Sequence, residues 1–163
     1  MNINIIVSVS DNWVIGKDNK LLWKLSNDLK RFKELTLNKP VIMGDKTFYS
    51  LPKGALPNRT NIVLTLDKNF DEQNTIPAYS IPDAIKKAEK YGDEVFIIGG
   101  GNVYKQFLSL SNKVYLTLVH TTIDGDTTFP ELDNNWNCVY EESHLKDEKN
   151  EYDYTYKIYS KTK

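Results

Sequence analysis

The chain has 163 residues, 21 basic and 22 acidic side chains, a formal net charge of −1 and one cysteine, Cys138. This length fits one domain, 1–163, with a sizeable core, while the charge balance excludes a basic nucleic-acid surface and the single cysteine excludes an internal disulfide framework. Because the first ten residues lack a positively charged start and no apolar run approaches about 18 residues, we expect a cytoplasmic protein without a membrane segment.

The chain begins with a predicted strand, a long loop and a helix. Residues 3–10 are a β-branched run typical of a buried strand, and residues 11–23 form a polar loop that is long for a simple connection. Ser26 is a suitable N-cap for a helix that we predict from Asn27 to about Leu35.

The rest of the chain alternates strands with helices. Strands are predicted at residues 39–44, 60–66, 94–101, 113–123, 136–145 and 152–161, and helices at residues 45–51, 80–92 and 102–110. Ser80 and Asp83 form a capping-box-like pair in the second of these helices, and Gly92 ends it. This alternation predicts an α/β domain with a largely parallel sheet, and the last two strands predict an antiparallel hairpin at one edge.

Asp28 lies on the apolar face of the first predicted helix. At about 100° per residue, Leu35, Phe32, Leu25 and Leu29 all fall on the same arc as Asp28. An acid in a first helical turn also favours the macrodipole, so a purely structural role stays open. A carboxylate on an apolar face is costly without partners, and a flat heterocycle with two adjacent N–H donors would supply them.

The sequence "IIGGGNVY" places three glycines between a strand and a helix. Glycines let main chain approach a ligand, and amides at the helix start suit a pyrophosphate, although a tight turn explains the glycines equally well. Lys46 and Thr47 begin a helix at a second strand end, and two such junctions suit a dinucleotide. His120 and His144 lack a metal-ligand spacing, so no metal site is predicted.

Seven segments resemble bacterial dihydrofolate reductases, in that family's order and spacing, over nearly the whole chain: "VIGKDNKLLW", "NDLKRFK", "KPVIMGDKTFYSLP", "LPNRTNIVLT", "VFIIGGGNVYKQFL", "VYLTLV" and "DGDTTFP". The resemblance implies one α/β domain, with a mixed, mostly parallel eight-stranded sheet, an antiparallel C-terminal edge strand and about four flanking helices. It implies NADPH-dependent reduction of 7,8-dihydrofolate to tetrahydrofolate by a monomer that binds antifolates and supports one-carbon metabolism and thymidylate and purine synthesis.

The resemblance also implies a substrate pocket. Asp28 matches the acid that binds the pterin 2-amino and N3 groups and promotes N5 protonation. Thr117 matches the residue that is linked to this acid through the 2-amino group and water. Trp23 matches a residue that holds an ordered water. Arg59 matches the arginine that pairs with the glutamate-tail α-carboxylate, a bidentate contact that lysine fills poorly. The other implied pocket positions are Ile6, Val7, Leu29, Phe32, Ser50, Leu51, Leu56 and Ile98.

The implied cofactor site joins both glycine-containing junctions to a mobile lid over residues 16–23. In the family the glycine pair carries a cis peptide bond, and Asp126 matches a residue that braces the lid. Leu21, on the lid, is counted with Asp28, Trp23 and Thr117 among the catalytic positions. The implied cofactor contacts are Ser8, Ile15, Gly16, Leu21, Gly44, Lys46, Thr47, Leu64, Thr65, Leu66, Ile98, Gly99, Gly100, Gly101, Asn102, Val103, Tyr104 and Thr127.

Four positions depart from the family pattern. Leu22 replaces a proline, Asp45 replaces an arginine that commonly meets the adenosine 2′-phosphate, Asn102 replaces a second arginine, and Leu66 replaces a small polar residue. We therefore expect a weaker preference for NADPH over NADH than in relatives with both arginines. Two other functions stay open: a pyrimidine reductase of riboflavin synthesis, and a non-catalytic folate- or nucleotide-binding module.

Overall fold

The computed structural model describes residues 1–16 and 22–162. The strands in these residues are β1 Asn2–Ser10, β2 Val14–Gly16, β3 Pro40–Gly44, β4 Thr60–Leu64, β5 Thr75–Ala78, β6 Glu94–Gly99, β7 Lys113–Val119, β8 Thr127–Thr128, β9 Trp136–His144 and β10 Tyr154–Lys161. The α-helices are α1 Ser26–Thr36, α2 Asp45–Ser50, α3 Ile81–Ala88 and α4 Gly101–Leu108, and a 3₁₀ helix, Glu89–Tyr91, continues α3.

Eight strands form one mostly parallel sheet in the order β5-β4-β3-β6-β1-β7-β10-β9. All pairs from β5 to β7 are parallel, and β10 is antiparallel to both β7 and β9. The predicted α/β class and antiparallel C-terminal strand are confirmed. The edge position predicted for that strand is wrong, because β9 pairs along its outer side and forms the edge instead.

Three short strands were missing from the sequence-based prediction. β5 has the sequence TIPA and lies at a sheet edge, where a proline is tolerated. β2 and β8 have three and two residues and pair as a separate antiparallel ribbon. The polar loop predicted over residues 11–23 therefore contains a strand that is too short to produce a periodic pattern.

The core lies on both faces of the sheet because alternate strand residues point in opposite directions. Ile42 of β3 packs with Ala84 of α3 and Phe107 of α4 on one face. Val41 packs on the other face, with Phe48 of α2. The parallel strands consequently consist of nearly continuous apolar residues, as expected of strands that are covered on both sides.

The start of α1 differs from the prediction. The helix begins at Ser26, the N-cap residue is Leu25, and that residue supplies no side-chain cap. Instead, Oδ1 of the buried Asn150 accepts a hydrogen bond of 3.0 Å from the backbone amide of Asn27. Ser26 is therefore not the cap, because an antiparallel bridge between Leu25 and Asn150 brings the last hairpin to this helix end.

The predicted N-terminal cap of α3 is confirmed, whereas Gly92 ends the 3₁₀ helix that continues α3 rather than α3 itself. Ser80 Oγ accepts a hydrogen bond of 3.1 Å from the Asp83 amide, and Asp83 Oδ2 accepts one of 3.1 Å from the Tyr79 amide. Gly92, with φ of 147°, follows the 3₁₀ turn. Within residues 1–16 and 22–162, no helix combines the length and the apolar character needed to cross a membrane.

Candidate active site

Asp28 and Thr117 are in direct contact. Thr117 Oγ1, on β7, donates a hydrogen bond of 2.6 Å to Asp28 Oδ1, on α1. Thr117 is buried and Asp28 is half-buried. The resemblance implied a link between these two residues through the pterin 2-amino group and water, whereas here they contact directly, which places one carboxylate oxygen on a fixed donor.

Burial is the main influence on the ionisation of Asp28. It raises the pKa of this carboxyl above its usual range, whereas the hydrogen bond from Thr117 and the positive charge of Arg31 lower the pKa. The charge of Asp28 in turn raises the pKa of the buried Tyr104 phenol, after a larger effect of burial. Asp28 thus favours its protonated form more than an exposed aspartate does.

Two strand neighbours extend this site. Ser8 on β1 pairs directly with Thr117 on β7, and Trp23 Nε1 donates a hydrogen bond of 3.1 Å to Ser8 Oγ. Tyr104 donates a hydrogen bond of 2.8 Å from its hydroxyl to the backbone oxygen of Ile6. Directly paired strand residues direct their side chains to the same face, so Trp23 and Asp28 contact one face of this strand pair through Ser8 and Thr117.

A cleft of about 610 Å³ opens beside Asp28. The side chain of Leu29 is 61% exposed there, so the cleft presents an apolar surface to solvent next to a carboxylate. The lining residues are Trp23, Lys24, Leu25, Ser26, Asp28, Leu29, Glu148, Lys149 and Glu151.

Most predicted apolar pocket residues lie close together. Ile6, Leu51, Leu56 and Ile98 are partly buried against a cluster that includes Phe48. Val7 is buried in the cluster on the opposite face of the sheet, so its side chain is directed away from this group. Ser50, at the end of α2, is exposed and donates to the Thr47 carbonyl over 2.6 Å.

Arg59 is held in a defined orientation. Its Nε donates to the Pro57 carbonyl over 2.9 Å, and its Nη1 donates to Thr36 Oγ1 over 3.1 Å. The guanidinium carbon lies 6.0 Å from the ring centre of Phe32, which is half-buried on α1. This orientation suits a guanidinium that pairs with a carboxylate.

The two glycine-containing junctions lie against each other. β3 and β6 are adjacent parallel strands, and their carboxyl ends lead into α2 and α4. A Cβ on Gly44 would lie 3.2 Å from Val103, and one on Gly100 would lie 3.2 Å from Thr47 Oγ1. Side chains at these glycines would therefore crowd the space between the two helix starts.

The glycine turn itself has the predicted geometry. The peptide bond between Gly99 and Gly100 is cis, and Gly99 has φ of 125°, a conformation that favours glycine. A Cβ on Gly101 would lie 2.6 Å from Thr127 Cγ2, so residue 127 closes one side of the turn. The cap residue of α4 is Gly100, and within the part of the chain that the structure describes no side chain accepts a hydrogen bond from the first amides of this helix as a cap.

The other predicted cofactor positions flank these junctions. Thr65 is buried, and its hydroxyl donates a hydrogen bond of 2.9 Å to Asp45 Oδ2. Leu64 ends β4, while Lys46 and Asn102 are exposed. Leu66 is 92% exposed, so it presents an unshielded apolar side chain at this edge.

The base of the predicted lid is braced by the segment that precedes β8. The Asp126 amide donates a hydrogen bond of 3.2 Å to the Gly16 carbonyl. A Cβ on Gly125 would collide with Val14 and would lie 2.7 Å from the Gly16 carbonyl oxygen. Ile15 lies between them on β2, and Leu21 falls outside the described residues.

Sequence reasoning missed several neighbours of the site. Asn150 is a turn residue by type, and nothing local indicates that it contacts α1. Arg31, three residues after Asp28, lies with its guanidinium carbon 4.1 Å from the ring centre of Tyr156. The i, i+3 spacing of Asp28 and Arg31 was the one available signal, since such residues share a helix face.

Comparisons with known proteins agree on one family. The sequence profile described as dihydrofolate reductase matches residues 2–161. Dihydrofolate reductase of Staphylococcus haemolyticus is 41% identical over 162 residues, covering 99% of this chain and 96% of that protein. Dihydrofolate reductase of Haemophilus influenzae is 43% identical over 154 residues, covering 94% of each.

A solved structure leads to the same assignment. Dihydrofolate reductase from Enterococcus faecalis, complexed with NADP(H) and RAB-propyl, superposes with a TM-score of 0.93 at 36% identity, covering 99% of this chain and 97% of that one. The match includes the strands and helices that carry Asp28, Thr117 and the glycine turn. On the sequence profile, the identities and this superposition, the chain belongs to the dihydrofolate reductase family.

Proposed function

We propose that this chain reduces 7,8-dihydrofolate to 5,6,7,8-tetrahydrofolate with NADPH. The observation that carries the proposal is the half-buried Asp28 carboxylate, which is fixed by Thr117 at the edge of a cleft whose lining includes the apolar side chains of Trp23, Leu25 and Leu29. Family membership supports the reaction, and the NADP(H) complex of the Enterococcus faecalis relative supports the cofactor.

Asp28 binds and orients the pterin. Its Oδ1 already accepts from Thr117, so Oδ2 and the remaining lone pairs meet the adjacent 2-amino and N3 donors of the ring. Because burial raises the pKa of Asp28, this group retains a proton more readily than an exposed acid does. It thereby promotes protonation of pterin N5, the atom that must gain a proton during reduction.

Arg59 binds the glutamate tail of the substrate. The hydrogen bonds to Thr36 and Pro57 fix the guanidinium plane, so a carboxylate meets a preorganised pair of donors. Ile6, Leu51 and Leu56, which pack against the cluster that contains Phe48, supply an apolar wall for the substrate. The substrate therefore spans a surface with a carboxylate at one end and a guanidinium at the other.

The residues between α2 and α4 fit a dinucleotide. A Cβ at Gly100 or Gly101 would crowd Thr47 or Thr127. Because glycine has no side chain at these positions, the main chain can contact a phosphate there. Thr47 and Lys46 add a hydroxyl and a positive charge at the start of α2. When bound, NADPH supplies the hydride that passes from nicotinamide C4 to pterin C6.

The protein's cellular setting follows from the same proposal. We infer a monomeric, cytoplasmic enzyme, folded as one domain over residues 1–163, that supports one-carbon metabolism. Its partners are small molecules, the folate substrate and antifolate inhibitors, and neither nucleic acid nor a membrane.

The direct test is the loss of NADPH absorbance when dihydrofolate is added. We expect one equivalent of NADPH to be oxidised for each equivalent of tetrahydrofolate formed. Consumption with the pyrimidine substrate of riboflavin synthesis instead of dihydrofolate would assign the related reductase. Binding of both ligands without consumption would assign a non-catalytic binding module.

A further inference from the structure

A second cavity lies behind α1, away from the residues assigned to substrate or cofactor. It has a volume of about 330 Å³ and lies between α1 and the last two strands of the sheet. The lining residues are Asn27, Lys30, Arg31, Glu34, Glu142, His144 and Tyr156.

Arg31 connects this cavity to Asp28. The guanidinium carbon lies 4.1 Å from the ring centre of Tyr156, a cation–π contact. Tyr156 on β10 pairs directly with Thr117 on β7, and Thr117 donates to Asp28. Asp28 and Arg31 share one face of α1 at i, i+3 spacing, so the carboxylate and the guanidinium both lie where α1 packs against the paired strands β7 and β10.

We propose that Arg31 is a positioning residue that acts through Asp28: its guanidinium, held on the Tyr156 ring, keeps a positive charge beside the carboxylate and sets the pH range of dihydrofolate reduction. This inference rests on the proposed role of Asp28. The Tyr156 ring supports the Arg31 guanidinium from one face. Stacking on an aromatic ring uses fewer of the guanidinium N–H donors than an ion pair does.

The ionisation of the neighbouring groups supports this arrangement. Arg31 lowers the pKa of Asp28, against the larger opposing effect of burial. Burial raises the pKa of Tyr156, Asp28 raises it further, and Arg31 lowers it. Each of the three groups therefore lies within electrostatic reach of the other two.

Other charged groups face the same region. Glu142 accepts a hydrogen bond of 3.0 Å from His144, which lowers the pKa of Glu142, and His144 stacks on Tyr154. Among the described residues, the other ionisable groups around the cavity and the cleft are Lys30 and Glu34 on α1, Tyr104 on α4, and Lys24, Glu148, Lys149 and Glu151. Lys30 is exposed, on the same helix as Arg31, and provides a matched charge for comparison.

The pH dependence of single-turnover hydride transfer tests the proposal. In Arg31→Met, we expect a rise of about half a pH unit or more in the apparent pKa above which the rate of hydride transfer falls. Removing the positive charge favours the protonated form of Asp28. Arg31→Lys retains the charge and should keep most of the wild-type pKa. Lys30→Met should leave the profile unchanged, and high salt should reduce the Arg31→Met shift.

A second measurement needs no substrate. NMR titration of ¹³C-labelled aspartate carboxyls, with Asp28→Asn used for assignment, reports the pKa of Asp28 in the free protein. We expect this pKa to rise in Arg31→Met, and to rise less in Tyr156→Leu, which removes the supporting ring but leaves the charge. Arg31→Gln replaces Arg31→Met if the latter does not fold.

An Asp28 pKa that is the same in wild type and in the neutral Arg31 variant would overturn the proposal, as would an equal shift in Lys30→Met. A wild-type protein that fails to reduce dihydrofolate would instead overturn the proposed function. The NMR titration would still show whether Arg31 changes the pKa of Asp28, so the failure of one proposal can be distinguished from the failure of the other.

Discussion

Asp28 experiences opposing influences on its ionisation. Burial raises its pKa above the ordinary value of 3.8, while Thr117 and Arg31 lower it. Between 3.8 and the raised value, the folded protein binds a proton that the unfolded chain has already lost. Asp28 therefore makes folding less favourable as the pH rises through this range.

Asp28→Asn should consequently be more stable than wild type at pH 7, by on the order of 1 kcal/mol. Asparagine retains an acceptor for Thr117 but carries no charge to desolvate. Urea unfolding at several pH values measures the difference, which should disappear below about pH 3.8. A difference that does not depend on pH would mean that the ionisation of Asp28 does not affect folding.

Arg59→Lys should weaken dihydrofolate binding and leave kcat nearly unchanged. A remote contact made equally in ground and transition states raises KM, here by about tenfold or more for a charged hydrogen-bond pair. A pterin without the glutamate tail is the matched control and should be indifferent to the change. Equal losses for both substrates would assign Arg59 to packing, through its contacts with Thr36 and Pro57.

Asp45→Arg tests the cofactor preference. If Asp45 lies near the 2′-phosphate, as the resemblance implies, two unit charges about 4 Å apart repel by roughly 1 kcal/mol in water. Lys68 is engaged elsewhere, with its Nζ 3.8 Å from the ring centre of Tyr79, whereas Lys46 is exposed beside Asp45. NADPH should bind about tenfold more tightly to the variant, a change of about 1.4 kcal/mol, and NADH equally well.

The control for this variant is Asp93→Arg, which changes the net charge equally at an exposed position just before β6. Both affinities are best measured at low salt, where screening is least. Unchanged NADPH affinity in Asp45→Arg would mean that Asp45, bonded to Thr65, is directed away from the cofactor.

Helix α1 carries Asp28, the carboxylate for which we propose a catalytic role, and a distant residue caps that helix. Periodicity predicted the helix and the position of Asp28 within it, because these depend on local spacing. The cap could not be predicted, since Asn150 is separated from Asn27 by 123 residues in sequence. Ser26 satisfied the local preference for an N-cap, but the packing of the last hairpin determined where the helix begins.

Asn150→Ala should lower the stability of the fold by about 1–2 kcal/mol through loss of this cap, with a melting temperature lower by a few degrees. Asn150 is 2% exposed, and its side chain also donates to Asp147 over 2.8 Å. Thermal unfolding by circular dichroism measures the effect. Asn137→Ala, an exposed asparagine on β9, should change the melting temperature little, and equal effects would rule out the cap.

The sheet brings together residues that are far apart in the chain. The adjacency of β3, β6, β1 and β7 places the glycine turn beside the pair Ser8 and Thr117. Alternation of strands and helices predicted the parallel class, and the resemblance supplied most site residues. Strand order, the short strands β2 and β8, and the edge position of β9 depend on tertiary pairing, which no local pattern records.

The central claim is that Asp28 in this cleft promotes the reduction of dihydrofolate. The most direct measurement compares NADPH oxidation by wild type and Asp28→Asn at pH 7 with dihydrofolate as substrate. We predict rapid oxidation by wild type and a loss of about a hundredfold or more in the variant, the range expected when a positioned proton donor is removed. Turnover near the wild-type rate in a folded Asp28→Asn protein would contradict the account and leave Asp28 as a first-turn helix acid.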